Sequence, residues 1–129
     1  RGRLALRERA GDELLRRGRS GVRMSWRRFD IYLVNPEAAL AEGHRGRPCV
    51  IVSPDEMNAQ INTVIVAPLT TRGRAYPTRI PCHVAGKDSF IVLDQLRTVE
   101  KSRLTRRLGR LPQPTQVLLL EALAELFAE

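Results

Sequence analysis

The sequence predicts a mainly β domain, in which several short strands form a small barrel-like sheet and one helix completes the chain. Two observations support this prediction. Short apolar runs recur between proline, glycine and asparagine turn signals, and the apolar periodicity becomes helical in the last segment. With 129 residues, of which 43% are hydrophobic, the chain is long enough to bury the core of one such domain.

Three strands are predicted in the first half of the domain. Residues 30–34 form the first strand, which an Asn-Pro pair interrupts. A loop then leads to Pro48, and residues 49–52 form a continuous apolar run, which is typical of a strand buried on both faces. Residues 63–67 form a similar run, and we expect Pro68 to end it.

The second half contains three more predicted strands and the helix. Residues 78–84 alternate between apolar and polar side chains, as in a half-exposed strand, with Ile80, Cys82 and Val84 on one face. A turn at residues 85–88 precedes strands at 90–93 and 96–99. From Val117 to Phe127 the apolar residues follow a helical period with a broad apolar face, and two prolines stand at its start, where proline is tolerated.

The N-terminal segment differs in composition from this domain. Residues 1–28 hold ten arginines and three acidic residues, a balance of +7, whereas the rest of the chain has a balance of +1 out of a total of +8. We interpret residues 1–23 as an arginine-rich extension with a short helix around residues 3–17, and residues 24–129 as the domain, with Met24 as its natural start. The alternative is an arginine-rich arm that contacts RNA.

Composition also limits the classes of function. Cys49 and Cys82 lie far apart with few histidines nearby, so they are expected to be buried thiols, and no zinc site or other metal site is predicted. No apolar run approaches the length of a transmembrane helix, and no secretory signal is recognisable, which favours a cytoplasmic protein. The basic clusters between residues 72 and 79 and between 97 and 110 predict a basic face.

Several side chains at the ends of the predicted strands have a chemistry suited to phosphate or base contacts. Arg47 precedes a buried strand, and its planar guanidinium matches a phosphate and remains protonated. Thr70 and Thr71 can donate hydroxyl hydrogen bonds, and Gln95 can contact a base edge. His44, three residues before Arg47, is a candidate acid or base. Each of these residues also has a purely local structural interpretation.

The order of the motifs is more specific than any single motif. Residues 29–32 read Phe-Asp-Ile-Tyr, residues 46–54 contain Gly-Arg-Pro before an apolar strand and Ser-Pro, residues 68–70 read Pro-Leu-Thr, and residues 94–99 read Asp-Gln-Leu-Arg-Thr-Val. In this order, residues 29–127 resemble the MazF/PemK family of toxin endoribonucleases. The loop before Arg47 lacks the Glu-Gln that family members often carry, which affects the expected RNA sequence more than the chemistry.

The resemblance implies an SH3-like small barrel with a C-terminal helix, usually a homodimer. It implies metal-independent, sequence-specific cleavage of single-stranded RNA to 2′,3′-cyclic phosphate and 5′-hydroxyl ends without a cofactor, which would inhibit translation and growth. The family's catalytic residues map to Arg47 and Thr70. The other expected RNA contacts are Ser53, Thr71, Arg72, Gln95 and Arg97. The expected partner is a MazE-like antitoxin with an acidic tail.

Two other functions remain open from the sequence alone. CcdB-like gyrase poisons share the expected barrel and perform no chemistry. A basic RNA-binding module would instead depend on the arginine-rich extension, so its affinity would fall on deletion of residues 1–23.

Overall fold

The computed structural model describes residues 25–36, 46–74 and 76–128. Its strands form one curled antiparallel sheet, a half-barrel with the order β4-β5-β3-β2-β1-β7, and β6 pairs with the first part of β3. The strands are β1 (Asp30–Val34), β2 (Arg47–Ile51), β3 (Thr63–Thr70), β4 (Arg79–Val84), β5 (Lys87–Val92), β6 (Arg97–Glu100) and β7 (Leu104–Arg110). The helices are α1 (Asp55–Asn58) and α2 (Gln113–Leu126), and 3-10 turns span Leu93–Gln95 and Lys101–Arg103. The predicted mainly β fold with a C-terminal helix is confirmed.

Strand β2 is buried on both faces, as its continuous apolar run predicted. Val50 packs on one face in a cluster that includes Leu119 of α2. Cys49 and Ile51 pack on the other face, with residues of β1, β3, β6 and β7. Because two clusters share this strand, it forms the centre of the domain. The strand begins at Arg47 rather than at residue 49, so the candidate arginine lies within the sheet.

The prediction that Pro68 ends the third strand was wrong. Strand β3 continues to Thr70, and Pro68 lies opposite Cys49 of β2. The carbonyl of Ile65 accepts hydrogen bonds from the N–H groups of Val52 and Ser53, directly after β2. The backbone groups of successive residues point to alternate sides of a strand. The backbone nitrogen of Pro68, which carries no hydrogen, therefore faces the edge away from β2. At that edge the pairing with β6 ends at Val66 and the pairing with β5 begins at Leu69. A residue without a donor is tolerated in this gap.

The other differences concern strand ends and exposed strands. The predicted strand 78–84 is confirmed, and Ile80 and Val84 face the core that contains Leu119. The expected strand 90–93 begins three residues earlier, because the turn contains only two residues. The sequence did not predict α1 or β7. Strand β7 has a single buried side chain, Leu104, so its pattern lacks the apolar alternation that identifies a strand.

Helix α2 begins after Pro112 and has a second proline in its first turn, as predicted. Leu119 is its only fully buried residue, whereas Val117, Leu118 and Leu120 are 48%, 49% and 38% exposed. Within the described residues, the domain therefore buries only the part of the expected apolar face that carries Leu119, and the other three side chains stay exposed. Neither described helix has the length and apolar character that a membrane crossing needs.

The first strand is anchored at its start by a buried carboxylate. Asp30 is 3% exposed and accepts hydrogen bonds from Arg107 Nη2 at 3.3 Å and Arg110 Nη1 at 3.0 Å. Arg28 and Arg110 also lie 5.7 and 5.9 Å from the ring centroid of Phe29, within the range of cation–π contacts. These contacts join β1 to β7, although little apolar surface of β7 is buried.

The hairpin between β4 and β5 contains a strained residue. Ala85 and Gly86 both have positive φ angles, 52° and 79°, which is the backbone of a type I′ turn. This conformation costs an alanine roughly 1–2 kcal/mol, whereas asparagine tolerates it. We expect Ala85→Asn to raise the free energy of unfolding by about 0.5–1 kcal/mol in a denaturant titration. Ala85→Val, which is β-branched, should lower it; equal stabilities for the two variants would contradict the assigned turn.

Candidate active-site cleft

A cleft of about 380 Å³ opens where β2 begins and β3 ends, beside the β4–β5 hairpin. Its polar lining comes from three segments of the chain: the start of β2, the end of β3 with the following loop, and β5. Leu69, Val84 and Leu108 supply the apolar part. The full lining comprises Arg47, Pro48, Leu69, Thr70, Thr71, Arg72, Val84, Ala85, Lys87, Ser89 and Leu108.

The strand register brings the two predicted catalytic residues together. Cys49 of β2 lies opposite Pro68 of β3. Arg47 lies two residues before Cys49 and Thr70 lies two residues after Pro68, so both stand at the same end of the paired strands. Both residues line the cleft, so a guanidinium and a hydroxyl are available to one phosphate group.

The hydroxyl of Thr70 is oriented by the backbone that follows it. The N–H of Arg72 donates a hydrogen bond to Thr70 Oγ1 at 3.1 Å. Because this bond occupies a lone pair of the oxygen, the hydroxyl proton remains able to donate to an anion. The chain therefore turns sharply after β3 and holds Thr70 in an orientation suited to donation.

The cleft carries positive charge. Arg47, Arg72 and Lys87 line it, and none of the described lining residues is acidic. Lys87 and Ser89 were not predicted from the sequence, because a lysine and a serine after a turn have the pattern of ordinary hairpin residues. Their position beside Thr70 comes from the pairing of Thr70 with Phe90 on β5.

Three arginines lie near the buried thiol of Cys49, which follows Arg47 by two residues. Burial raises the pKa of Cys49 to about 11, while Arg97, Arg47 and Arg103 act in the opposite direction. The thiol is therefore neutral and unreactive near pH 7, as expected of a buried cysteine. Cys82 is half-buried, so the expectation of two buried thiols holds only for Cys49. Partial burial likewise raises the pKa of Cys82 to about 11, and both cysteines are free.

Two predicted contact residues lie beyond the cleft lining. Arg97 is exposed on β6 opposite Val66, on the sheet face that carries Cys49, and Gln95 is exposed on the preceding 3-10 turn. Arg103 was not predicted as a site residue, although it lay in a basic cluster of the sequence. Its Nε donates to the carbonyl of Asn35 at 2.8 Å, so it stands beside the end of β1 next to Arg47.

Ser53, which was expected to contact RNA, lies buried in a hydrogen-bond network. It is 2% exposed, its hydroxyl donates to Asn58 Oδ1 at 2.5 Å, and the same oxygen accepts the N–H of Ile65 at 3.0 Å. The amide of Asn58 donates back to the Ser53 carbonyl at 3.0 Å. These bonds join α1 to β3 and leave the hydroxyl inaccessible to a ligand in this structure.

The remaining predictions on site residues have different outcomes. His44 and residues 1–23 lie outside the described residues. Thr71 and Arg72 line the cleft beside Thr70. Within the described ranges, no three His, Cys, Asp or Glu side chains lie close enough together to hold a metal ion.

Comparison with known proteins identifies related chains. The family model described as PemK-like, MazF-like toxin of type II toxin–antitoxin system matches residues 27–127. The chain is 40% identical over 91 residues to Endoribonuclease MazF of Staphylococcus saprophyticus, a match that covers 64% of this chain and 74% of the relative.

Solved structures share the fold. An endoribonuclease from a mycobacterial species matches with a TM-score of 0.67 and 23% identity, over 79% of this chain and 90% of that chain. A mycobacterial endoribonuclease in complex with its cognate antitoxin matches with a TM-score of 0.65 and 25% identity, over 77% and 91%. A MazE–MazF structure from Deinococcus radiodurans matches with a TM-score of 0.67 and 20% identity, over 82% and 98%.

The buried network of Ser53 gives a stability prediction. Removing its hydroxyl leaves the Ile65 N–H and Asn58 Oδ1 without their partner, so Ser53→Ala should lower the free energy of unfolding by about 1–3 kcal/mol. The matched control is Ser102→Ala at an exposed position, which should change it by less than about 0.5 kcal/mol. Equal effects of the two substitutions in urea titrations would contradict the structural role.

Proposed function

Because the chain belongs to the PemK-like, MazF-like family of toxins of type II toxin–antitoxin systems, which are endoribonucleases, we propose that it cleaves single-stranded RNA at the described cleft without a metal ion. The observation that carries the proposal is that Arg47 and Thr70 line the same cleft, together with Arg72 and Lys87. These groups match the charge and geometry of a phosphodiester.

In the proposed reaction, the 2′-hydroxyl of one nucleotide attacks its own 3′-phosphorus. The new O2′–P bond forms as the P–O5′ bond breaks, so the products are a 2′,3′-cyclic phosphate and a 5′-hydroxyl. The attacking hydroxyl loses its proton to solvent, and the leaving oxygen gains one. Negative charge accumulates on the non-bridging oxygens in the transition state, and donors placed there lower the barrier.

Arg47 and Thr70 have distinct roles in this scheme. The guanidinium stays protonated at any physiological pH, so Arg47 stabilises the phosphorane charge through paired N–H donors and can give a hydrogen bond to the leaving oxygen. Abstraction of a proton by an arginine is unfavourable for the same reason. Thr70, whose oxygen already accepts the Arg72 N–H, donates its proton to a second phosphate oxygen.

The neighbouring residues would bind the rest of the strand. Thr71, Arg72 and Lys87 are positioned at the cleft for adjacent phosphates, and the exposed Arg97 and Gln95 extend the surface beyond it. Recognition would use unpaired bases that splay away from the backbone, as is usual in single-stranded RNA complexes. His44 remains a candidate proton carrier in this proposal.

We also propose the partners and the location that accompany this activity. Solved family members are found with their antitoxins, and a basic cleft is complementary to an acidic antitoxin tail. The toxin would act as a homodimer in the cytoplasm, and RNA cleavage would stop translation and growth. A gyrase poison with the same fold would not require Arg47 and Thr70 to share one cleft.

The cleavage proposal predicts that the purified chain cuts long single-stranded RNA in excess EDTA. Discrete products with 5′-hydroxyl ends are expected, and Arg47→Ala should lower the rate by about 10²–10³-fold through loss of transition-state stabilisation. Thr70→Val should lower it as well, whereas Thr70→Ser, which keeps the hydroxyl, should retain most of the rate.

The controls for this experiment are circular dichroism of each variant and the ends of the products. Absence of cutting by the folded wild-type chain would overturn the proposal. An Arg47→Ala variant that is as active as the wild type would remove Arg47 from the mechanism while leaving the nuclease activity intact.

A separate prediction concerns the arginine-rich extension. Since the proposed catalytic and RNA-binding groups all lie in residues 44–97, deletion of residues 1–23 should leave the cleavage rate within a few-fold of the full chain. If the extension were the RNA-binding arm, the deletion would instead weaken binding greatly and reduce the slope of affinity against salt concentration. Cleavage assays and binding titrations between 50 and 200 mM salt distinguish the two results.

A further inference from the structure

An aromatic side chain stands exposed on the loop that leaves the cleft. Thr71 and Arg72 begin the loop between β3 and β4 and line the cleft. Tyr76 follows in the same loop and is 50% exposed. It belongs to neither apolar cluster of the domain, so burial of its ring does not explain its presence there.

The ring of Tyr76 is held by an arginine that is itself fixed. The guanidinium carbon of Arg79 lies 5.0 Å from the ring centroid, and the Arg79 N–H donates to the Tyr76 carbonyl at 2.9 Å. Arg79 Nε lies 3.7 Å from Asp94 Oδ1, and this oxygen accepts a hydrogen bond from Thr78 Oγ1 at 3.1 Å. One face of the ring therefore contacts the guanidinium of Arg79. Asp94, the acidic partner of Arg79, also accepts a hydrogen bond from Thr78 of the same loop.

The same arginine connects the ring to the rim of the cleft. A Cβ atom at Gly73 would lie 2.8 Å from Arg79 Nη1, so the guanidinium lies against the backbone directly after Arg72. Gly73 has a φ of +111°, a conformation that favours glycine. Arg79 thus contacts the loop at the cleft end and at Tyr76, and it fixes the spacing between them.

We propose that Tyr76 is a stacking platform for an unpaired base of the RNA, one that flanks the phosphate bound at Arg47 and Thr70. The proposal rests on the endoribonuclease function proposed above. It adds a residue that holds one nucleotide in place, at a fixed position in the strand relative to the cut. Every base has a π-face, so the platform is tolerant of base identity, and its effect is on affinity and on placement of the strand. Arg79 is a positioning residue that acts through Tyr76.

The test is a binding experiment with an RNA that contains the mapped cleavage site and a 2′-deoxyribose at the attacking nucleotide, so that the strand stays intact. Affinities are measured for the wild-type chain, Tyr76→Phe and Tyr76→Ala. Each RNA is used intact and with single abasic nucleotides at the positions flanking the cut. Thermal unfolding of the three proteins checks that the exposed substitution leaves the fold unchanged.

Tyr76→Ala should bind the intact RNA about 5- to 150-fold more weakly, the range expected for loss of one stacked base. Tyr76→Phe should bind as the wild type does, because it retains the ring. One abasic position should weaken the wild type by a similar factor and should have little further effect on Tyr76→Ala. The effects of Tyr76→Ala and of that abasic position would then be non-additive, as expected when the ring and that base are in contact. A residue that only supports the loop would give additive effects.

Three results would overturn the platform: wild-type affinity in Tyr76→Ala, equal weakening in Tyr76→Phe and Tyr76→Ala, or an abasic effect that is additive with Tyr76→Ala at every position. Failure of the wild-type chain to cut or bind RNA at all would overturn the proposed function and the platform with it. The two failures are distinguishable, because the second is seen in the wild type before any variant is compared.

Discussion

The pairing register of β2 with β3 determines the geometry of the cleft, and a buried hydrogen-bond network fixes that register. Apolar residues occupy both faces of β2, so a slip by one residue would still bury apolar side chains, and hydrophobic patterning specifies the register only weakly. Ser53 supplies the missing constraint, because its hydroxyl bonds both Ile65 and Asn58 at one end of the strands. At the other end, the same pairing brings the start of β2, which carries Arg47, beside the end of β3, which carries Thr70. A buried serine at the opposite end of the paired strands therefore helps to align the strand ends that carry Arg47 and Thr70.

Strand β3 pairs with two different strands along one edge, and a proline lies where the partner changes. Its first half pairs with β6, which carries Arg97, and its last residues pair with β5, which carries Lys87 and Ser89. Pro68 occupies the gap between these partners, where a donor is not required. This change of partner brings Lys87 and Ser89 of β5 to the end of β3 that holds Thr70, whereas Arg97 of β6 lies further back, opposite Val66. The strain at Ala85 lies in the same region, on the hairpin that forms the opposite wall.

The sequence predicted those elements in which buried apolar side chains recur with the period of a strand or a helix. Strands β1 and β4 and helix α2 follow from apolar periodicity and from proline at their ends, whereas β7 was missed because its side chains are charged and exposed. Arg47 and Thr70 were predicted from the order of family motifs, since an arginine or a threonine alone carries no sign of its neighbours. The position of Lys87 at the cleft and the burial of Ser53 were not predicted for one reason: both depend on which strands pair across the sheet, and that information is not local.

Charge alone does not determine what the cleft binds. Outside residues 1–28 the chain is nearly neutral, but the described cleft lining holds Arg47, Arg72 and Lys87 and no acidic residue, whereas Glu121 and Glu125 are exposed on α2. Such a local basic surface attracts any polyanion, so RNA and an acidic peptide tail would compete for the same cations, and both would weaken as salt increases. Discrimination must come from groups that only one ligand can use. The hydroxyl of Thr70 and the paired donors of Arg47 match a tetrahedral phosphate, and an exposed ring supported by Arg79 matches a nucleobase. In the proposed scheme, an acidic tail would neutralise the cleft by charge alone, whereas RNA would engage both the pair Arg47 and Thr70 and the ring of Tyr76.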